Sequence, residues 1–311
     1  MRSLTIAGRR IADDEPAYVV AELSGNHGGS VPSAVELIQA AAACGVAAVK
    51  LVKRDNETLY SPALLNQPYQ NEHSFGATYG EHRACLEFDE SGYAVCQKAA
   101  ADAGVTCFAT AFDEPSLAFV IGRGMPAVKL ASGSLTDKPL LEMAASCGVP
   151  VILSTGGGTR REIDLATNIL YRRTHQFSLL HCTAAYPVLN FSELNLRCIW
   201  QLREDYPDIV IGWSGHDSGI AMATVAYALG ALIIEKHFTL NRASKGTDHA
   251  FSIEPAGMKK LCRDLSRTRQ AHGDGIKRIY LSEQAPIAKM RRTEQHGVWQ
   301  IRTASEVNAH V

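Results

Sequence analysis

Two histidines in matching positions are the residues of this 311-residue sequence most able to do chemistry. His216 and His237 each follow a short apolar run, residues 209–211 and 232–234, and a helical pattern separates the two runs. The pattern predicts two neighbouring buried parallel strands. Imidazoles at the ends of such strands commonly begin a divalent metal site. The alternative is that each histidine only caps or packs against its own strand.

Two lysines lie inside apolar runs. Lys50 stands in AAVKLV and Lys129 in PAVKLAS. An ammonium group is costly to bury without an anion, so each lysine either faces a bound phosphate or carboxylate or forms a structural ion pair with a glutamate. The segment STGGG from Ser154 is either a simple flexible turn or a source of hydroxyl and N–H donors for the same anion. Together with the histidines, these residues predict a phosphorylated, acidic small substrate beside a metal.

Other polar residues follow apolar runs in the same way. If the runs are parallel strands of a closed barrel, their C-terminal ends meet at one mouth, where catalysis takes place in such barrels. The residues expected there are Glu22, Asn26, His27, Lys53, Thr110, Ser132, His181, Thr183, Tyr186, Ser214, Asp217, Glu235, Lys236 and Asp248.

The elements that must position these residues alternate regularly. Eight apolar runs alternate with helical patterns from residue 18 to residue 270, including helices predicted over 192–203 and 257–270. This rhythm predicts an α/β fold, a (β/α)₈ TIM barrel, with a short N-terminal hairpin near residues 4–11. A doubly wound open sheet is the alternative, but GNHGGS does not match the GxGxxG dinucleotide turn. The polar segment 54–86 is long for a βα connection and is predicted to be a lid.

Composition narrows the class of protein. The net charge of −1 gives no indication of a nucleic-acid or membrane partner, and no apolar stretch is long enough to span a bilayer. The N-terminus lacks a signal-peptide pattern and none of the eight cysteines forms a CxxC pair, so we expect a cytoplasmic protein with reduced thiols.

The motifs at the predicted mouth resemble those of the sialic acid (N-acetylneuraminate) synthase family, which also includes legionaminate and pseudaminate synthases. The resemblance covers about residues 16–292 and is carried, in order, by AELSGNHGGS, VKLVKR, YGEHR, VKLASGS, ILSTGGG, LLHCTAAYP, SGHDSG, EKHFT and GTDH. It implies a (β/α)₈ barrel enzyme, a transferase of carbohydrate biosynthesis, that condenses phosphoenolpyruvate with an aldehyde sugar such as N-acetylmannosamine. The products would be a sialic-type 3-deoxy-2-keto acid and phosphate.

The resemblance also implies roles for individual residues. A divalent metal, Mn²⁺ or Mg²⁺, would be held by His216 and His237 and would polarise the aldehyde. Glu22, Lys129 and the two histidines would be catalytic. The acceptor sugar would contact Glu22, Tyr186 and Asp248, and phosphoenolpyruvate would contact Lys50, Thr110, Lys129, Ser132, Ser154 and Ser214.

Several positions depart from the family pattern. The family often has Phe-Gln after the strand-two lysine, where this chain has Leu51 and Val52. An acidic residue usually follows KxxSG, where this chain has Ser134, and a polar residue is common at Ala184. The family's SDH triplet reads Ser-Gly-His here, ending at His216. These departures put the acceptor contacts and the usual acid–base scheme in question.

The C-terminal region departs further. The family usually carries an antifreeze-like domain that lends an arginine to a partner subunit. We expect a catalytic barrel over 1–275 and a short, linker-like, weakly patterned tail over 276–311, with that domain absent or carried on another chain. A homodimer is possible on the family pattern.

Three functions follow as hypotheses. The first is a phosphoenolpyruvate-dependent synthase of a nonulosonic acid. The second is the same condensation on a non-sialic aldehyde in a specialised pathway. The third is a catalytically weak barrel that acts as a binding or regulatory subunit, which Ser134 and Ala184 favour and the intact histidines and lysines oppose.

Overall fold

The computed structural model describes residues 2–301 and contains a closed barrel of eight parallel strands. Around the barrel the strands pair in chain order, and the last pairs with the first. The prediction of a TIM-type (β/α)₈ barrel is therefore confirmed. Its strands are β3 (Tyr18–Glu22), β4 (Ala48–Lys53), β5 (Thr106–Ala111), β6 (Val128–Leu130), β7 (Val151–Ser154), β8 (Phe177–Cys182), β9 (Val210–Gly215) and β10 (Ile233–His237).

Alternation along these strands separates an inner from an outer face. Successive side chains of a strand point to opposite faces, so every second residue faces the barrel interior. In β3 these are Tyr18, Val20 and Glu22, and in β10 they are Ile233, Glu235 and His237. The lower positions are apolar and form one buried cluster. The positions near the C-terminal ends are polar, which puts the polar residues directly above a packed apolar layer.

An N-terminal hairpin belongs to the same interior cluster. Strands β1 (Ser3–Ile6) and β2 (Arg9–Ala12) pair antiparallel, as predicted. The buried side chains Leu4, Ile6 and Ile11 join the inner apolar layer. The hairpin therefore covers the barrel end opposite the strand C-termini.

Helices cover the outside of the barrel. Their apolar faces and the outward side chains of the strands form a second, larger core. No helix within residues 2–301 is long and apolar enough to cross a bilayer. The helices around the barrel are α1 (Val31–Ala43), α5 (Glu90–Asp102), α6 (Glu114–Gly122), α7 (Lys138–Ala145), α8 (Arg160–Tyr171), α9 (Arg197–Asp205), α10 (Ala221–Ala228) and α11 (Pro255–His272).

The long segment after β4 is built from three short helices. They are α2 (Asn56–Leu59), α3 (Pro62–Leu65) and α4 (Tyr79–Cys85). Side chains of Asp55, Ser61 and Thr78 cap their N-termini by accepting backbone N–H bonds. We call residues 54–86 the cap segment.

Two predicted boundaries are wrong. The helix predicted over 192–203 is a 3₁₀ turn, Phe191–Leu194, followed by α9. Asn195 separates them in a left-handed conformation with φ of 37°, which no continuous right-handed helix can include. In addition, His237 is the last residue of β10 and does not follow it.

Residues at the C-terminal end form elements of their own. The chain divides into two compact units, Met1–Gln270 and Ala271–Val311. The second contains helix α12 (Leu281–Met290) and an antiparallel hairpin of β11 (Arg292–Gln295) and β12 (Val298–Ile301). The sequence analysis did not anticipate this helix and hairpin. Residues 302–311 of the predicted tail lie outside the described residues.

Gly29 allows the cap segment to approach the loop after β3. It adopts φ of 79°, and a Cβ built there would lie 2.1 Å from the backbone oxygen of Cys85. Gly29→Ala is therefore expected to lower the free energy of unfolding by about 1–3 kcal/mol, measured by denaturant titration. Gly122→Ala is the control, because apart from its own helix backbone and chain neighbours no atom of residues 2–301 lies within 4 Å of the built Cβ. Equal stability of the two variants would contradict this role of Gly29.

Candidate active site

A cavity of about 460 Å³ opens at the C-terminal ends of the barrel strands. It brings together every residue that the sequence analysis proposed as catalytic, substrate-binding or metal-binding. These residues are Glu22, Lys50, Thr110, Lys129, Ser132, Ser154, Tyr186, Ser214, His216, His237 and Asp248. Their convergence follows from the topology, because all but Ser132, Tyr186, His216 and Asp248 lie within the strands themselves.

Lys129 is fixed in the cavity by a buried carboxylate. Its Nζ donates to both oxygens of Glu235 at 2.9 and 3.0 Å. The Ser214 hydroxyl donates to the same carboxylate at 3.0 Å. These side chains are almost fully buried. A structural ion pair with a barrel glutamate, one of the two alternatives for the lysines, is therefore present.

Lys50 lies within the same charged group. Its Nζ donates to Thr110 Oγ1 at 2.6 Å, contacts the Glu22 carboxylate and lies 3.8 Å from Glu235. Burial lowers the pKa of Lys50 to about 7, with the positive charge of Lys129 acting in the same direction and Glu235 opposing. Lys50 is therefore close to losing its charge near neutral pH.

Glu235 is the carboxylate that the two lysines share. Burial alone would raise its pKa, but the attraction of Lys129 and Lys50 prevails and lowers it to about 2. Glu235 therefore stays ionised. Because both lysines also line the cavity, the ion pairs hold two ammonium groups in position for a further anion.

Two serine hydroxyl groups line the same cavity as the ammonium groups. Ser154 Oγ is buried and has no hydrogen-bond partner among the described residues. Ser132 Oγ accepts from the backbone N–H of Gly156 at 3.0 Å, so the glycine-rich segment holds this side chain in the cavity. Unpaired buried hydroxyls are uncommon in proteins, and the Ser154 hydroxyl is a donor available to a ligand.

The rings of His216 and His237 lie close together in the cavity lining. Their ring centroids are 5.3 Å apart, and the Tyr186 ring lies 4.2 Å from that of His216. His216 Nδ1 donates to the Thr183 carbonyl at 3.0 Å, which leaves Nε2 as the nitrogen with a lone pair. Burial lowers the pKa of both rings, that of His237 to about 3 against the opposing charge of Asp248. Both imidazoles are therefore neutral.

This pair fits a divalent metal. Metals bind neutral imidazole nitrogens, and a backbone carbonyl bound to the other nitrogen commonly fixes the ring. His237 Nδ1 is buried, has no hydrogen-bond partner in the described part of the chain and lies 3.7 Å from Asp248 Oδ2. Across residues 2–301 no three His, Cys, Asp or Glu side chains are arranged to hold a metal. Two protein ligands would leave positions open for substrate or water.

Other residues of the cavity were missed or misjudged by the sequence analysis. Arg54 and Arg83 of the cap segment and Phe112 line it, although none had been proposed. Glu235 had been noted only as a residue at a strand end. The departures Ser134 and Ala184 do not line the cavity, whereas Val52 does. Ser134 is buried in a 3₁₀ turn, Ser132–Ser134.

The sequence from residue 37 to residue 277 matches the model of the NeuB family. The chain belongs to the NeuB family. The match includes most of the barrel and every cavity residue except Glu22, Ser24 and Gly25.

Proteins similar to this NeuB family chain include named synthases of neuraminate and legionaminic acid. It is 34% identical to the N-acetylneuraminate-9-phosphate synthase of Homo sapiens, over 92% of this chain and 79% of the relative. It is 32% identical to the N,N'-diacetyllegionaminic acid synthase of Legionella pneumophila, over 89% of this chain and 79% of the relative. A solved N-acetylneuraminic acid synthetase from Leptospira borgpetersenii, in complex with citrate, superposes with a TM-score of 0.79 at 32% identity, covering 92% of this chain and 95% of that one.

Proposed function

We propose that this protein is an enzyme that condenses phosphoenolpyruvate with an aldehyde sugar to give a nonulosonic acid and phosphate. The observation that carries the proposal is the paired arrangement of two buried ammonium groups beside two neutral imidazoles in one cavity. The two ammonium groups suit a small dianion, and the two imidazoles suit a metal next to a carbonyl oxygen. Membership of the NeuB family supports the same reaction.

Phosphoenolpyruvate would bind at the lysines. Lys50 and Lys129 would hold its phosphate and carboxylate, and hydroxyls of Ser132, Ser154 and Thr110 would complete the contacts. Because Glu235 and Ser214 hold Lys129 before the ligand arrives, little reorganisation would be needed on binding. Carbon 3 would then attack the aldehyde, water would add at carbon 2, and phosphate would leave by C–O cleavage.

The acceptor sugar would lie on the side of the histidines. His216 and His237 would hold a divalent metal, Mn²⁺ or Mg²⁺, which as a Lewis acid would polarise the aldehyde when bound. Tyr186 and Asp248 would contact the sugar beside the His237 ring. The Glu22 carboxylate, with one oxygen bonded to the Ser24 N–H, is available to hold or transfer a proton at the acceptor oxygen.

The test is consumption of phosphoenolpyruvate and release of phosphate with Mn²⁺ across a panel of aldehydes. The panel should include N-acetylmannosamine, its 6-phosphate and diamino-dideoxy hexoses. Turnover with one sugar would support the synthase and name the product. Turnover only with a simpler aldehyde would favour the condensation in another pathway. A protein that binds metal and phosphoenolpyruvate but consumes none would favour the binding or regulatory subunit.

The pH dependence of phosphoenolpyruvate binding provides a further prediction. Below about pH 7 Lys50 is charged in the empty cavity, and above it Lys50 is neutral. A bound anion raises the pKa of Lys50, so binding above pH 7 takes up a proton, and the dissociation constant should rise by up to about tenfold per pH unit. Calorimetry in buffers of different ionisation enthalpy measures both effects. Lys50→Met should bind phosphoenolpyruvate weakly and without proton uptake. Proton uptake that persists in Lys50→Met would show that another group takes up the proton.

A further inference from the structure

Two arginines of the cap segment lie in the cavity without a role in the condensation described above. Arg54 follows β4 directly, and Arg83 lies in α4. Both line the cavity together with Val52, Leu86 and Phe112. Arg54 is nearly buried, with its side chain 14% exposed. A guanidinium stays charged in proteins, so two cations are added to the outer part of the cavity.

The hydrogen-bonding capacity of these arginines is largely unused. Arg54 Nε is buried and has no partner among residues 2–301. The nearest carboxylate to its guanidinium is that of Glu87, 3.7 Å from Nη1. That carboxylate also lies 3.3 Å from Lys53 Nζ and accepts the Arg54 backbone N–H. The Glu87 carboxylate is therefore shared between Lys53 and Arg54, which leaves one net positive charge among these three side chains.

Aromatic side chains hold both guanidinium groups in place. The Arg54 Cζ lies 4.2 Å from the centroid of the Phe112 ring. The Arg83 Cζ lies 4.9 Å from the centroid of the Tyr79 ring, and its Nε donates to the Tyr79 hydroxyl at 2.9 Å. Stacked guanidinium groups keep their planar edge free for bidentate contact with a phosphate. Glu22 contacts Lys50, and Asp248, whose charge also acts on Arg83, lies beside His237, so neither carboxylate forms an ion pair with the two arginines.

The position of the arginines separates them from the phosphoenolpyruvate side. Lys50 lies within β4, whereas Arg54 follows the end of that strand and Arg83 belongs to the cap segment, so both arginines are nearer the rim of the cavity. The cavity of about 460 Å³ extends from the lysines to the arginines, which gives space for a second ligand. An open-chain sugar with its aldehyde at the histidines would reach the arginines with its opposite end.

We propose that Arg54 and Arg83 form an anion subsite, and that the acceptor is a sugar carrying a phosphate monoester at the end remote from its aldehyde. The proposal rests on the proposed function for the direction of the sugar. The subsite itself can be tested without turnover. Val52 stands where the family pattern often has a glutamine, so a polar contact with the middle of the sugar is lost. A charged contact at the distal end of the sugar would replace it.

The experiment uses two unreactive alditols, N-acetylmannosaminitol and its 6-phosphate. With Mn²⁺ present and phosphoenolpyruvate saturating, the lysine side is filled and calorimetry measures binding only at the outer side. The phosphorylated alditol should bind about 10- to 100-fold more tightly than the unphosphorylated one. Arg54→Met and Arg83→Met should each remove about 10-fold or more of that advantage and leave binding of the unphosphorylated alditol nearly unchanged.

Arg54→Lys and Arg123→Met complete the design. Arg54→Lys keeps a positive charge and should therefore lose less of the phosphate advantage than Arg54→Met. It replaces Arg54→Met if that variant folds poorly. Arg123 bonds the Gln97 side chain outside the cavity, so Arg123→Met should bind like the unmodified chain. Equal affinity for the two alditols, or equal weakening of both by the arginine variants, would overturn the subsite. Failure of the proposed function would instead appear as absent consumption of phosphoenolpyruvate, whatever the alditols do.

Discussion

Lys129→Met is expected to weaken phosphoenolpyruvate binding by about 100-fold or more and to leave the Michaelis constant of the acceptor nearly unchanged. Lys129 supplies one of two ammonium groups in the cavity and is fully buried beside Glu235. The substitution also leaves the Glu235 carboxylate with Lys50 alone, 3.8 Å away. The free energy of unfolding should therefore fall by about 3 kcal/mol. Steady-state kinetics and denaturant titration measure the two effects.

A second substitution separates the two roles of Lys129. In Lys129→Met with Glu235→Gln the unpaired charge is gone, so stability should largely return while phosphoenolpyruvate binding stays weak. Lys138→Met is the control for loss of a lysine, because Lys138 is exposed and its one ion pair within residues 2–301 is with Glu142. If the double variant regained phosphoenolpyruvate binding together with stability, Lys129 would be structural alone.

His237→Ala should abolish turnover and metal binding and leave the fold intact. Lewis-acid polarisation contributes several kcal/mol to such reactions, so the turnover number should fall by about 10³-fold or more. Metal content is measured after dialysis, and binding of phosphoenolpyruvate, which depends on the lysines, should persist. Near-normal activity or unchanged metal content in this variant would disprove the assignment of His237 as a ligand.

His181→Gln provides a matched control for that experiment. His181 is also a buried histidine of a barrel strand, but its Nε2 lies 2.7 Å from the Leu194 carbonyl and it does not line the cavity. We expect normal metal content in this variant. Equal loss of metal in both variants would show that removing any buried histidine disturbs the barrel.

The barrel and most of the cavity could be predicted from sequence because strands buried on both faces are near-continuous apolar runs. A polar residue inside or just after such a run, as with Lys50 or His216, has few places to go except the barrel mouth. Glu235 was expected at the mouth for the same reason but was given no role, and it shares the inner face with His237 two residues later. The two alternatives for the lysines could not be separated, since the glutamate partner lies on a distant strand.

The cap segment was beyond the sequence analysis for a different reason. Its helices α2 and α3 have four residues each, so their apolar pattern is too short to be recognised. The capping residues Asp55, Ser61 and Thr78 were the local signals. Arg83 lines the cavity and Cys85 packs against Gly29, and no local pattern encodes these tertiary contacts. The break at Asn195 was likewise missed, because an asparagine within a helical pattern is not by itself a stop signal.

The N-terminal hairpin has a consequence for the kinetics of the enzyme. Leu4, Ile6 and Ile11 close the lower end of the barrel, so the reactants share the mouth as their common entrance. The lysines lie deeper in this passage than the arginines of the cap segment. If phosphoenolpyruvate binds at the lysines and the sugar above it, as we propose, phosphoenolpyruvate should enter first. It should then be retained for as long as the sugar occupies the space above it.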